Sequence, residues 1–151
     1  MSAAGTITGQ ARVLKQFSYL NKIANFPNSA YKLPQVKRLE LVFKQHNAYG
    51  HMGARKFWLE NLKTINFHNP KVEIDVKRIL CETKDEQLKC PSVLKVYFED
   101  GKTQQIDCKN KRSGAIMEEL VKITEAEKVD DADIPVLTID SFVEAQQQTK
   151  N

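Results

Sequence analysis

The stretch from Gly50 to Pro70 constrains this chain most, because it must carry the backbone through a helix from one strand pattern to another. It reads Gly-His-Met-Gly-Ala-Arg-Lys-Phe-Trp-Leu-Glu-Asn-Leu-Lys-Thr-Ile-Asn-Phe-His-Asn-Pro. Gly50 and Gly53 suit a turn of positive φ, or the close approach of a neighbouring segment. From Gly53 onward Ala54, Phe57, Trp58, Leu59 and Leu62 recur at helical spacing. Asn69-Pro70 stops the helix, since proline biases the preceding residue toward extended geometry. Before the stretch, Val36–Phe43 sets Leu39, Leu41 and Phe43 against Arg38 and Glu40. After it, Val72–Leu80 sets Val72, Ile74 and Val76 against Glu73, Asp75 and Lys77, with the alternation breaking at Ile79-Leu80. A helix between two such runs is the crossover of a βαβ unit, and the remaining elements must pack on it.

The flanks supply those elements. Met1–Gln10 is small, hydroxylated and free of acids, which fits a flexible extension or part of a mitochondrial import signal. Ala11–Ala24 carries Val13, Phe17, Leu20 and Ala24 on one helical stripe, with Arg12, Lys15 and Lys22 off it, and reads as a basic amphipathic helix. Asn25–Pro34 reads as a linker and Cys81–Pro91 as a polar excursion. Val93–Phe98 and Thr103–Cys108 form a hairpin through Asp100-Gly101, both of which tolerate positive φ. Ser113 is placed to cap a last helix built on Ile116, Leu120 and Ile123. Ile134–Val143 regains apolar character and is expected to dock, while Gln146–Asn151 is expected to fray. A βαβ unit followed by ββα gives an α/β fold with a four-stranded mixed sheet, one strand antiparallel and helices on its faces. That is the thioredoxin-like arrangement. The expected division is 1–34 (extension and basic helix), 35–124 (thioredoxin-like domain) and 125–151 (acidic tail).

Charge is distributed unevenly over this plan. Residues 125–151 hold two lysines against seven acids, whereas residues 1–124 hold 21 basic against 12 acidic residues. The first 39 residues contain six basic residues and no acid. A body of net +9 is attracted to polyanions through counterion release, and a solvated charged surface is the plainer alternative. No apolar run approaches the roughly 18 residues of a membrane span, so direct membrane insertion is not expected.

The chemistry that a thioredoxin-like plan raises is absent from its usual place. Reactive cysteines of that fold sit where the first strand enters the first helix, whose N-terminus stabilises thiolate. Here that place reads His51-Met52-Gly53-Ala54-Arg55. Cys81, Cys90 and Cys108 all lie far from it in sequence, and an odd count without Cys-x-x-Cys suits a reducing compartment. His46, His51 and His68 show no metal-ligand spacing, so neither metal nor cofactor is expected. No phosphate loop, Gly-x-Ser-x-Gly elbow or His-Glu-x-x-His helix is present. The turn from Gly50 to Gly53, with Arg55 and Lys56 on the first helical turn, can hold an anion such as an RNA phosphate; alternatively its glycines only shape the turn. Lys109-Asn-Lys-Arg112 is a second basic cluster, open to phosphate contact or to solvent alone. Phe57 and Trp58 lie within the helix and read as core or interface anchors rather than base-stacking platforms. His68 reads as a loop hydrogen-bonder.

Gly53-Ala-Arg-Lys-Phe57, Ile65-Asn-Phe-His-Asn-Pro70 and Ile74 together resemble the signature of a family of small thioredoxin-like mitochondrial proteins. That family includes ribosomal proteins of both subunits and a small accessory subunit of respiratory complex I. Ser113-Gly-Ala-Ile-Met-Glu-Glu-Leu120 is similar to the ribosomal members, and the resemblance spans Val36–Ile123. The basic Leu20-Asn-Lys-Ile-Ala-Asn25 run and the longer Gly50–Trp58 motif favour the fungal large-subunit branch. The small-subunit branch and the complex I branch stay open. The resemblance implies a non-catalytic constituent of the mitochondrial ribosome in the matrix, with rRNA and other ribosomal proteins as partners and no small-molecule substrate. The residues expected to meet polyanion are Arg12, Lys15, Lys37, Arg38, His51, Arg55, Lys56, Lys109, Lys111 and Arg112. The acidic tail is expected to face solvent or a basic neighbour. An enzyme acting on a phosphorylated ligand at the Gly50–Arg55 turn is a third reading.

Overall fold

A computed structural model of the chain describes residues 2–46, 49–138 and 140. Its centre is a sheet of four strands, β2 (Val36–Lys44), β3 (Glu73–Ile79), β4 (Val93–Phe98) and β5 (Thr103–Asp107), in the order β3-β2-β4-β5. Strand β1 (Tyr31–Lys32) lies outside it. β2 and β3 are parallel, with Leu39 opposite Ile74 and Leu41 opposite Val76, while β4 runs antiparallel to both β2 and β5. The βαβ-then-ββα order and the single reversed strand are as the alternation predicts.

The crossover is one continuous helix, α2, made of Met52–Lys56, a wider π turn at Phe57–Asn61, and Leu62–His68. Two more helices follow, α3 (Lys84–Lys89) and α4 (Ser113–Thr124). Ala54, Phe57, Leu62 and Ile65 of α2 and Ile116, Met117 and Leu120 of α4 pack on Leu39, Leu41, Phe43, Leu94, Val96 and Ile106. Alternation puts all six of those sheet residues on one face. Both long helices therefore cover the same face, and the expectation of helices on both faces is corrected. The opposite face carries charge instead. There Glu40 is buried between Arg38 (3.4 Å), Lys77 (3.3 Å) and the Tyr97 hydroxyl (3.4 Å). Trp58 leans on Phe43 at 5.8 Å, with the Arg78 guanidinium 5.1 Å above its ring, and packs half-buried against the core.

The N-terminal helix, α1, spans Ser2–Ala24, so the backbone of residues 2–10 is helical rather than an irregular extension. The linker after it is held to α2 by polar side chains. Asn61 Nδ2 donates to Ser29 Oγ (2.6 Å), the Phe26 N–H donates to Thr64 Oγ1 (3.3 Å), and His68 Nε2 meets the Ala24 carbonyl (2.6 Å). Asn69 makes three bonds: Oδ1 accepts from the Leu33 N–H (2.7 Å), and Nδ2 donates to the Tyr31 (2.8 Å) and Ile65 (2.7 Å) carbonyls. His68 is thus a hydrogen-bonder, as read from the sequence, though it ends α2 rather than sitting in a loop and its partner is distant in the chain. Asn69 is more than a helix stop.

The same linker contains β1, which pairs antiparallel with β6 (Glu127–Lys128), setting Lys32 opposite Glu127. Val129 and Ile134 are buried against Ala24 and Ala30, and Asn21 bonds both the N–H and the carbonyl of Leu137. The described part of the acidic tail therefore packs on the chain's own N-terminal segment, and the expected docking of the 134–143 stretch holds for Ile134 and Leu137. Ile139 and residues 141–151, including the end expected to fray, lie outside the described residues.

Three local readings change. The polar excursion contains α3, capped by reciprocal bonds between Thr83 and Glu86. Gly101 takes positive φ in the hairpin whereas Asp100 does not, because the loop closes as a turn with one left-handed residue. Arg112, not Ser113, occupies the N-cap position of α4, and its side chain makes no cap bond.

Replacing Asn69 with alanine removes three bonds and leaves the buried Leu33 N–H without an acceptor. Urea unfolding is expected to show a loss of about 3 kcal/mol, from several modest bonds and one orphaned donor.

Candidate nucleic-acid interface

The loop after β2 enters α2 through Tyr49 and Gly50, both at positive φ, and the loop after β5 enters α4 through Asn110, also at positive φ. The two loops are joined: the Asn110 N–H donates to the Gly50 carbonyl at 2.9 Å. A Cβ on Gly50 would overlap the Asn110 side chain, and one on Gly53 would overlap the Lys111 carbonyl. Glycine at 53 is therefore required by close approach, and it sets the starts of α2 and α4 side by side.

Between these starts lies a notch of about 440 Å³ whose wall includes Gly50, Gly53, Lys56, Lys111, Arg112 and Ser113. Neither helix start has a side-chain cap, and neither first turn holds an acid. The leading amides of a helix have no intrahelical acceptor and carry partial positive charge, so such an end favours an anion. Lys56 and Arg112 are exposed beside it. Lys111 contributes less net charge, because its Nζ is 2.7 Å from Glu119 Oε2, which raises its pKa chiefly through that bond.

The ten residues expected to meet polyanion divide accordingly. Lys56, Lys111 and Arg112 come together at the notch, and Arg55 is half-buried on the turn beside it. Lys109 reaches sideways, its Nζ donating to the Leu88 carbonyl at 3.1 Å. Arg12 and Lys15 are exposed on α1 and Lys37 is exposed near the start of β2; none of these three lines the notch. Arg38 sits on the open sheet face, 2.8 Å from Asp75 and with its guanidinium 5.4 Å from the Tyr97 ring. Its charge is engaged internally, and the bond to Asp75 holds its pKa up.

His51 is corrected outright. It has no exposed surface, and its Nδ1 accepts the Lys44 N–H at 3.2 Å. Burial pushes its pKa down to about 4, with the nearby Lys44 and Lys109 charges acting the same way, so the ring is neutral and cannot pair with phosphate. Lys44 itself is wholly buried, with Nζ 3.3 Å from the Gln87 carbonyl and 4.4 Å from the Tyr49 ring centre. Burial lowers its pKa. The sequence gave no sign of this, because Lys44 follows the strand expected over Val36–Phe43 and opens a polar run to Tyr49 that reads as a loop. Asn110 was also missed as a shaping residue, although asparagine commonly supplies positive φ.

Residues 54–113 match the family described as the mitochondrial ribosomal protein L51 / S25 / CI-B8 domain. The matched segment runs from the first turn of α2 to the first residue of α4, the two helix starts that meet at the notch. The chain is 35% identical over 119 residues to the large ribosomal subunit protein mL61 of Saccharomyces cerevisiae, covering 74% of this chain and 82% of that protein. It is 32% identical to mL61 of Neurospora crassa, over 60% of this chain and 43% of the relative. The small ribosomal subunit protein mS25 of Drosophila melanogaster is 28% identical over 76% of this chain and 60% of its own length.

Two measurements check this geometry. Gly53→Ala is expected to destabilise the fold by about 2 kcal/mol, as overpacking against backbone commonly does, with the loss read by urea unfolding. His51 stays neutral in the fold down to about pH 4, whereas the unfolded chain takes up its proton near 6.5. The unfolded state then binds more protons between those values, so stability is lost as pH falls through that window. Unfolding across a pH series should show that slope, and His51→Gln should flatten it.

Proposed function

The chain belongs to the mitochondrial ribosomal L51/S25/CI-B8 family, and from that premise we propose that it is a structural constituent of the mitochondrial large ribosomal subunit. The observation that carries this is the likeness to yeast mL61 along most of both chains. Its place is the mitochondrion, specifically the matrix, where the ribosome works in translation. It takes part without catalysis, cofactor or small-molecule substrate. The strand order with one reversed strand supports a thioredoxin-like core over 35–124, flanked by the basic extension and the acidic tail. The turn where that fold would hold a reactive cysteine has none.

Its partners in this reading are rRNA and neighbouring ribosomal proteins. The notch between the helix starts seats a backbone phosphate, with Lys56 and Arg112 as exposed cations, Lys111 and Arg55 beside them, and uncapped helix amides behind. Arg12, Lys15, Lys37 and Lys109 add contacts elsewhere on the surface. Such contacts position a protein on RNA without reading sequence. The likeness to Drosophila mS25 makes the small subunit the second reading.

Sucrose-gradient sedimentation of detergent-lysed mitochondria at moderate and high salt tests the assignment. Co-migration with the large subunit through the salt wash is expected. Migration with the small subunit would change the member and keep the class, and migration with respiratory complex I or as free protein would overturn the ribosomal reading. In the same gradients, Lys56→Ala with Arg112→Ala is expected to release the protein at lower salt. Each lost phosphate contact reduces the salt slope of binding by about 1. Unchanged retention would remove the notch from the RNA surface.

A further inference from the structure

A cavity of about 410 Å³ lies between the linker after α1, the π turn of α2, and α4. Phe26 and Tyr31 of the linker and Met117 and Val121 of α4 give it apolar walls. Its charged groups are Glu60 and Glu118, and no lysine or arginine lines it among the described residues. Both carboxylates are exposed, and neither has an ion-pair partner among the described residues. Lys63, one turn on from Glu60, is occupied with Tyr19, its Nζ 3.3 Å from the hydroxyl. On a chain whose first 124 residues are strongly basic, this cavity has the opposite sign.

Two further features of the wall call for a partner. Asn61 lines the cavity and is only 3% exposed. Ser29 Oγ donates to the Pro27 carbonyl (3.2 Å), so toward Asn61 it can only accept, from Nδ2 (2.6 Å). That fixes the amide's orientation and leaves the buried Oδ1 without a donor. Buried acceptors are normally paired, and π turns such as the one that carries Glu60 and Asn61 are frequent at functional sites. The second feature is Gly114, in the first turn of α4. Its φ is not positive, and a Cβ built on it would meet nothing within 4 Å. Neither local conformation nor the chain's own packing requires glycine there, although glycine weakens a helix; the open space beside it suits the close approach of another molecule.

We propose that this cavity takes an arginine side chain from a neighbouring basic protein. The guanidinium donates to the Glu60 and Glu118 carboxylates and supplies the donor for Asn61 Oδ1, while the alkyl stem lies along the apolar walls. Arginine fits better than lysine, because its planar fork serves several acceptors at once and stacks on aromatic rings such as Phe26 and Tyr31. The chain's own arginines, Arg12, Arg38, Arg55, Arg78 and Arg112, are all described and none lines the cavity, so the side chain comes from another molecule. A nucleic-acid phosphate would be repelled by the two carboxylates, which sets this cavity apart from the basic notch. The inference deepens the reading in which ribosomal proteins are the neighbours, and rests on it for the partner's identity.

The test titrates the full, isotope-labelled chain with a blocked Gly-Arg-Gly peptide and follows amide NMR signals. Saturable shifts are expected at the Gly114 amide and the Asn61 side-chain amide. Citrulline in place of arginine should bind at least about tenfold more weakly, since charge-assisted bonds become neutral ones. Gly114→Leu should fill the cavity and abolish the shifts, with thermal unfolding showing a fold at least as stable. Glu60→Gln with Glu118→Gln should weaken binding by a similar factor, whereas Glu99→Gln, an exposed acid on the hairpin, should leave it unchanged. Absent or unsaturable shifts would overturn the proposal. So would equal binding of the citrulline or lysine peptide, survival of binding in Gly114→Leu, or the same shifts produced by an RNA oligomer. Should the leucine variant fail to fold, the paired glutamine variant decides. Because the titration uses the free chain, its outcome is separate from where the protein sediments.

Discussion

The contact between Gly53 and the Lys111 carbonyl is the constraint on which the candidate interface depends. Backbone there lies where any side chain would intrude, so at this point the βαβ half of the chain and the hairpin-helix half meet through peptide groups. Their relative placement cannot be adjusted by changing a rotamer. Two helix starts are consequently held at fixed separation, together with Lys56 on one and Arg112 on the other. Preorganisation of this kind lowers the ordering cost of binding, because the donors and charges do not have to be gathered when a ligand arrives.

A second set of contacts does for the N-terminal segment what the glycine does for the notch. Residues 24–33 contain one two-residue strand, too little backbone pairing to fix their path. Their polar groups are instead taken up by Asn61, Thr64, His68 and Asn69, all projecting from the second half of α2 or its end. Once the segment is fixed, it offers β1 to β6 and a small apolar patch to Val129 and Ile134. Order passes from α2 to the linker and from the linker to the start of the acidic tail. One acid of the tail, Glu127, is thereby set opposite Lys32 of the chain's own N-terminal segment.

Much of this architecture was legible in the sequence. Alternation located all four main strands to within a residue or two, and helical spacing located α2 and α4, because each buries one face and polar residues mark the other. Pairings between distant segments were not legible. Strands β1 and β6 are two residues each, too short for any period, and the partners of Arg38 and His51 are set by tertiary packing. The α3 helix did leave a signal, Thr83 followed three residues later by Glu86, but without the apolar run that usually accompanies such a box. The candidate interface was legible at Lys56, Lys111 and Arg112, since glycine turns and basic clusters at helix starts are local features. His51 defied the local rule because its ring is needed inside, accepting the Lys44 N–H.

A helix start that favours negative charge can satisfy that preference in three ways: a thiolate on the chain, a carboxylate or hydroxyl cap on the chain, or an anion from outside. This chain lacks the first two at both α2 and α4. The thiols it does possess lie around α3 and Lys44 or in the core, away from the notch wall. His51, which stands at the N-cap position of α2, is neutral and faces inward, so it neither caps the helix nor competes for an anion. What remains is partial positive charge on the amides and full positive charge on Lys56 and Arg112, with Lys111 largely answered by Glu119. The preference is therefore left for an anion from outside the chain to meet. In the proposed reading an rRNA phosphate supplies the charge and the hydrogen-bond acceptors that the notch lacks.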